Sequence, residues 1–252
     1  MSRGLGDVYK RQGLACAKMA DFVLEREGDV AAVIGEPMRA VPVVPPEGYW
    51  RALADSAKAR DTLLIVDEIP TGLGKTGRFF VHEHDGVTPD MIVMGKALGG
   101  GVLPIAAVIA RADLDVAGDF AIGHYTHEKN PVTARAALTT LDIIHDEGLA
   151  DRARELGDRA TDRLRDAVGD NPIVGDIRGR GLMFGVEIVS DREARTPDPE
   201  RAERILYACL AEGLSFKNSA GNVLTLSPPL TIGEDDLDRA LSIVESAIWD
   251  AA

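Results

Sequence analysis

The chain has 252 residues, 45% of them hydrophobic, two cysteines and a formal net charge of −13. That length suffices for one large domain or two modest ones with a sizeable core. The acidic balance argues against nucleic acid and anionic membranes as partners, because a phosphate footprint needs clustered Lys and Arg. No apolar run is long enough to span a bilayer, and the start lacks the apolar stretch of a signal peptide. Cys16 and Cys209 stand apart, with no metal-ligand spacing. Both are expected to be buried free thiols in a reducing cytoplasm.

Residues 1–12 (MSRGLGDVYKRQ) carry no hydrophobic periodicity and join abruptly to a helical pattern, so they read as a non-native leader outside the fold, with an ordinary loop as the alternative. Residues 14–27 have helical spacing, and DVAAVIG at 29–35 reads as a short apolar strand. Three prolines put a loop at 42–48. A helix is predicted at 49–60, and apolar strands at 62–66, 91–94 and 105–110. Short buried strands alternating with helices imply an α/β domain with a mainly parallel sheet over residues 13–145.

A long helix is predicted from about Val132 towards Val168, bent near Asp146-Glu147-Gly148. Strand-like stretches at 173–177 and 182–189, a helix at 199–212 and a strand at 222–226 outline a smaller α+β domain over 146–252. The last helix is expected to open on a capping box of Thr231 and Glu234. Its apolar face is Leu237, Ala240, Leu241, Val244, Ala247 and Ile248.

Residues 63–77, LLIVDEIPTGLGKTG, combine an acidic pair at a strand end with Gly74-Lys75-Thr76. A P-loop needs Gly, four residues, then Gly-Lys-Ser/Thr, so that successive amides wrap the phosphates. Ile69 occupies the place of the first glycine, and Gly77-Arg78-Phe79-Phe80 opens no helical pattern. The NTPase reading fails on this spacing. Asp67 instead ends an apolar strand, where open α/β sheets place ligands. A capping or ion-paired Asp is the alternative. A second strand, MIVM, runs into Gly95-Lys96 and then Ala-Leu-Gly-Gly-Gly, whose glycines let a ligand approach the backbone. For Lys96 the alternative is a solvated or ion-paired lysine. A carboxylate and a nucleophilic lysine at neighbouring strand ends suit pyridoxal 5′-phosphate, which needs a Schiff-base lysine and an acid for its pyridinium nitrogen.

Four blocks extend this pattern: Gly35-Glu36-Pro37 with Pro-Pro-Glu-Gly-Tyr at 45–49, LLIVDEIPTGLGKTGRFF, PDMIVMGKALGGG, and GHYTHEKNP leading into a helix. In them the chain resembles the class III (ω-amino acid type) aminotransferases, pyridoxal-phosphate enzymes of fold type I. The resemblance covers everything after residue 13, and RGRGLMFGVEI and NVLTLSPPLTI match the family's small domain. By position it implies that Lys96 forms the Schiff base and then shuttles protons, and that Asp67 pairs with the ring nitrogen. It places Ile69 on the ring face and Glu36 among the polar groups nearby. Thr126 takes the position that reaches the phosphate of the neighbouring subunit's cofactor, which implies a homodimer with shared active sites. The implied reaction moves an amino group between an amine or amino acid and a keto acid.

Two positions depart from the family pattern. Pro70 stands where the family has a Gln that contacts the ring hydroxyl, and Thr225 where an Arg clamps the substrate carboxylate. Lys217 is a nearby cation that could take over the anion. These departures favour ammonia- or phospho-lyases and racemases of the same family as the alternative reaction. Family members are also longer. The resemblance implies that the Ser-Gly-[Ala/Thr/Ser] phosphate cup and the ring-stacking aromatic belong to an N-terminal portion outside this chain. A truncated, non-catalytic fragment is therefore a second alternative.

Of the remaining candidates, His82 and His84 read as surface loop residues with no metal site. His124 and His127 read as pocket-lining or structural. Arg178 and Arg180 read as ion-paired turn residues with anion binding as the alternative, and Trp50 and Trp249 as packing residues.

Overall fold

The computed structural model describes residues 5–120, 123, 126 and 128–252, with side chains from residue 14 onward. It forms two compact units, each assembled from more than one stretch of chain. Unit 1 takes the described residues up to Met38, then Pro45–Leu73 and Phe80–Asp146. Unit 2 takes Arg39–Val44, Gly74–Phe79 and Glu147–Ala252. Among the described residues no helix is long and apolar enough to cross a membrane.

Unit 1 contains α1 (Leu5–Glu27), β1 (Ala32–Gly35), α2 (Tyr49–Lys58), β2 (Leu63–Asp67), β3 (Met91–Met94), β4 (Ala107–Ala110) and α3 (Pro131–Asp146). The sheet order is β1-β2-β3-β4. The pairs β1–β2 and β2–β3 are parallel, as the sequence pattern implies, and β4 turns back antiparallel to β3. Gly35 lies beside Val66 and Asp67 beside Val93, so the carboxyl ends of the three parallel strands come level with one another.

α1 begins at Leu5, inside the stretch expected to lie outside the fold. Extending an existing helix orders one residue per new hydrogen bond, far cheaper than nucleating one, and no proline interrupts residues 5–13. Along α2, Trp50, Leu53 and Ala57 share one buried face. Trp50, Leu53, Leu64 and Val87 form a small core under that helix. The indole lies so close over Gly35 that a Cβ there would stand 3.0 Å from its ring, so any larger residue would have to push the tryptophan aside. The Trp50 Nε1–H donates to Pro37 O at 2.9 Å, tethering the chain just after Glu36.

Unit 2 contains α4 (Leu149–Val168), β5 (Val174–Arg180), β6 (Met183–Asp191), β7 (Thr196–Pro197), α5 (Pro199–Ala211), β8 (Lys217–Ser219), β9 (Val223–Leu226) and α6 (Glu234–Asp250). Its antiparallel sheet runs β5-β6-β9-β8, with β7 pairing β6. The expected bend in the long helix is the gap between α3 and α4, where Gly148 adopts φ 61°. β5 runs past the expected end at Ile177, because Arg178 remains in the ladder. Its guanidinium pairs with Asp176 at 3.0 Å and with Glu187, and its Nε–H donates to Pro42 O at 2.8 Å. Segment 74–79 is built into the same unit: Leu182 N–H donates to Lys75 O at 3.0 Å, and Lys75 Nζ donates to Pro228 O.

Two expectations fail. The capping box does not form, because α6 starts at Glu234 and its N-cap is Gly233, which makes no side-chain cap bond. A turn closed by Ile232 N–H on Pro229 O keeps Thr231 outside the helix, while Glu234, Asp235 and Asp236 offset the helix dipole instead. Cys16 is exposed on α1 rather than buried, whereas Cys209 is buried. Burial pushes the Cys209 thiol up to about 11.

Candidate active site

Three of the sequence-predicted site residues leave the carboxyl ends of β1, β2 and β3. Glu36 follows β1 directly and is half-buried, held between the packed Gly35 and the tethered Pro37. Asp67 closes β2, also half-buried, and its Oδ1 accepts the Ile69 N–H at 2.9 Å. This is the local turn that aspartate favours, and Pro70 continues it in a conformation proline already holds. Lys96 lies just beyond β3 and is exposed.

Lys96 has φ 45°, a left-handed conformation that costs a non-glycine residue about 1–3 kcal/mol. What imposes it is the short 3-10 turn Lys96–Gly99, anchored by the buried Leu98 and Gly99 and by Leu98 N–H on Gly95 O at 3.0 Å. Strain of this kind persists only where the surroundings over-determine it, and such places cluster at functional sites.

Ile69 connects the two strand ends. A Cβ built on Gly95 would stand 3.5 Å from Ile69 Cγ2 and 3.6 Å from Ala106 Cβ, so the isoleucine side chain borders the backbone that leads into Lys96. Asp67, Ile69 and Lys96 thus gather along one edge of unit 1, with Glu36 one strand away. Thr126 lies instead in an exposed turn between β4 and α3. His124 and His127 lie outside the described residues.

In unit 2, Thr225 is buried in β9 and stands directly opposite Lys217 of β8, which is exposed. Residues so paired have Cβ atoms about 4.5–5.5 Å apart on the same face of the sheet. The cation named from sequence proximity is therefore a cross-strand neighbour of the threonine.

Two further groups escape the motif pattern. Glu68 is 2% exposed and His82 8%, so His82 is a buried residue and not the surface loop residue expected. Its burial follows from its bond to Glu68: the imidazole Nδ1 lies 3.0 Å from Glu68 Oε1. A signal for Glu68 was present in β2. Leu64 and Val66 point inward at alternate positions, and Glu68 falls in the same phase.

A cavity of about 560 Å³ lies at the opposite, amino-terminal ends of the strands, lined by Leu63, Leu64, Asp90 and Arg111 among others. Neither Asp67, Ile69 nor Lys96 lines it. The strand-end edge therefore rests on its chemistry: a primary amine, an oriented carboxylate and an apolar side chain.

The chain matches the aminotransferase class-III family over residues 8–248. It is 41% identical to an (R)-1-hydroxy-2-aminoethylphosphonate ammonia-lyase of Vibrio splendidus (strain 12B01), covering 92% of this chain and 49% of that protein. It is 42% identical to a leucine/methionine racemase of Thermococcus litoralis, covering 88% of this chain and 50% of that one. A crystal structure of an aminotransferase from Bacillus anthracis superposes with a TM-score of 0.89 at 32% identity, over 93% of this chain and 56% of that chain. The chain spans about half the length of these relatives. By the extent of these matches, the chain belongs to the class-III aminotransferase family.

Proposed function

We propose that the protein carrying this chain is a pyridoxal 5′-phosphate-dependent aminotransferase of the cytoplasm, moving an amino group between an amine or amino acid and a keto acid. The observation that carries this reading is the convergence of Asp67, Ile69 and the strained Lys96 on one strand-end edge. The donor set fits the cofactor, since a primary amine can hold its aldehyde carbon and a carboxylate can hold its protonated ring nitrogen. When bound, the cofactor supplies an electron sink for bonds at the amino-bearing carbon.

Lys96 Nζ would be the amine that holds the cofactor and the group that moves a proton at the substrate carbon. Asp67, aimed by the Ile69 N–H, would accept a hydrogen bond from the protonated ring nitrogen and so keep that proton on the ring. Ile69 offers an apolar face, and Glu36 orders polar groups beside it. Thr126 would serve the phosphate of the neighbouring subunit's cofactor, in a homodimer with shared sites.

Borohydride reduction in the presence of pyridoxal 5′-phosphate, followed by peptide mapping, tests the assignment. The label is expected on Lys96, and Lys96→Ala is expected to abolish the visible absorbance band. Lys75 is an internal control, because burial lowers its amine to about 8. Equal labelling of Lys75 and Lys96, or none at Lys96, would sink the proposal.

A second reading, a lyase or racemase on the same site, is favoured by Thr225 in place of the substrate-clamping arginine and by the names of the two relatives above. Turnover of an amino substrate with no keto acid present would select it.

A further inference from the structure

Directly behind the candidate acid lies a carboxylate that the proposed chemistry does not use. The Glu68 side chain is 0% exposed. An ionised carboxylate withstands such burial only when strong donors surround it. Glu68 Oε2 accepts the Val81 N–H at 3.0 Å. Its Oε1 accepts the His82 N–H at 3.0 Å and bonds to the His82 ring Nδ1 at 3.0 Å. The imidazole is stacked on Phe80, with ring centroids 5.4 Å apart.

Both amides open the 3-10 helix Val81–Asp85, where helix-terminal N–H groups have no partner within the helix. Gly72 completes the cradle. Its N–H donates to Glu68 O at 2.9 Å, and a Cβ on it would stand 3.1 Å from Glu68 Oε2.

The connectivity gives this cradle its consequence. Residues 69–80 depart from the end of β2, pass through unit 2 at 74–79, and return to unit 1 at Phe80. Glu68 ties the point of departure to the point of return. The first residue of the excursion is Ile69, whose N–H aims the Asp67 carboxylate. We propose that Glu68, gripping Val81 and His82 with Gly72 making room, is a positioning residue that holds Ile69 and so fixes the orientation of Asp67. Its catalytic meaning rests on the reading of Asp67 given above, whereas its structural effect can be measured with no cofactor present.

Glu68→Gln sets an amide NH₂ against an N–H donor and is expected to open the cradle. His82→Gln, which leaves both backbone donors in place, is the milder variant should the first fail to fold. Leu53→Val, which loosens the small core under α2, controls for lost stability. Hydrogen exchange followed by NMR on the cofactor-free chain is expected to quicken at least about tenfold at Ile69, Val81 and His82 in the cradle variants. Exchange at Ile69 should not change in Leu53→Val.

With pyridoxal 5′-phosphate, the cradle variants should bind at least about tenfold more weakly and shift the pH at which the visible band titrates. Unchanged exchange at Ile69 in both cradle variants overturns the proposal. So does faster exchange combined with unchanged cofactor affinity and an unchanged band, which would leave Glu68 a plain loop staple. If the whole protein carrying this chain shows no Lys96-dependent band, the proposed function fails, and the exchange result alone decides whether Glu68 governs Ile69.

Discussion

The two units dispose of their apolar side chains differently. In unit 2 one cluster runs through α4, β5, β6, α5, β9 and α6, with Leu164, Val186, Leu224, Val244 and Ile248 at 0% exposure. In unit 1 the core under α2 holds Trp50, Leu53, Leu64 and Val87, while large apolar residues face outward. Met19 and Phe22 on α1, Ile34 on β1 and Val108 and Ile109 on β4 are all exposed. A sheet with parallel strands is ordinarily covered on both faces. Unit 2 also exposes Tyr207, Leu210 and Trp249, but on its helices around a closed core, whereas in unit 1 the exposed apolar residues reach the sheet itself, so that sheet calls for further covering. Exposed apolar faces of this kind mark interaction surfaces.

The largest expected effect that could break this contrast is in the unit 2 core. Phe184, 1% exposed, is expected to cost about 3–5 kcal/mol on truncation to Ala. Trp249 reports on unit 2 and Trp50 on unit 1, so denaturant unfolding of single-tryptophan variants reads each unit separately. A cost below about 1 kcal/mol would show that this cluster does not hold unit 2 together.

A smaller effect, dependent on pH, sharpens the contrast from within unit 2. Burial holds the Lys75 amine at about 8, below its ordinary 10.5. The folded chain therefore binds this proton more weakly than the unfolded chain does. Stability from this group is fully present above pH 10.5 and is lost as pH falls through 8, with a slope of up to about 1.4 kcal/mol per pH unit between those values. Lys75→Met should remove that slope, so the difference between variant and parent should grow from pH 10 to pH 8. Parallel stability curves would refute it.

The smallest effect expected is on the outer face of β4. Ile109, 49% exposed, should tolerate Thr within about 0.5 kcal/mol in thermal or denaturant unfolding of the chain alone. A loss above about 1 kcal/mol would show that this face is already covered, and the difference between the units would vanish.

Much of the frame follows local pattern. β3 is read to the residue because MIVM is purely apolar and bounded by Asp90 and Gly95. Asp67 and Lys96 stand out because charged groups end apolar strands. Other features answer to partners distant in sequence, which no local window contains. Lys217–Ser219 is polar and becomes β8 only by pairing with β9. The contact of Ile69 with Gly95 and the strain at Lys96 arise when two strand ends come together. His82 looks like a loop histidine until Glu68, in another element, claims it. At α6 the local signal itself misleads, since Thr231 and Glu234 have the spacing of a capping box but a turn starting at Pro229 takes the threonine away.

The chain's passage at 74–79 has a bearing on how this molecule can be cut. Arg178 hangs on Pro42, Leu182 on Lys75, and Lys75 on Pro228, so unit 2 is knitted to two short pieces encoded far upstream of Glu147. A gene fragment opening at residue 147 would specify most of the unit's residues and lack the peptides around which its hairpin is set. Unit 2 is therefore no cassette that recombination or cloning could move as one contiguous block, and the stretch between Asp67 and Val81 encodes parts of both units.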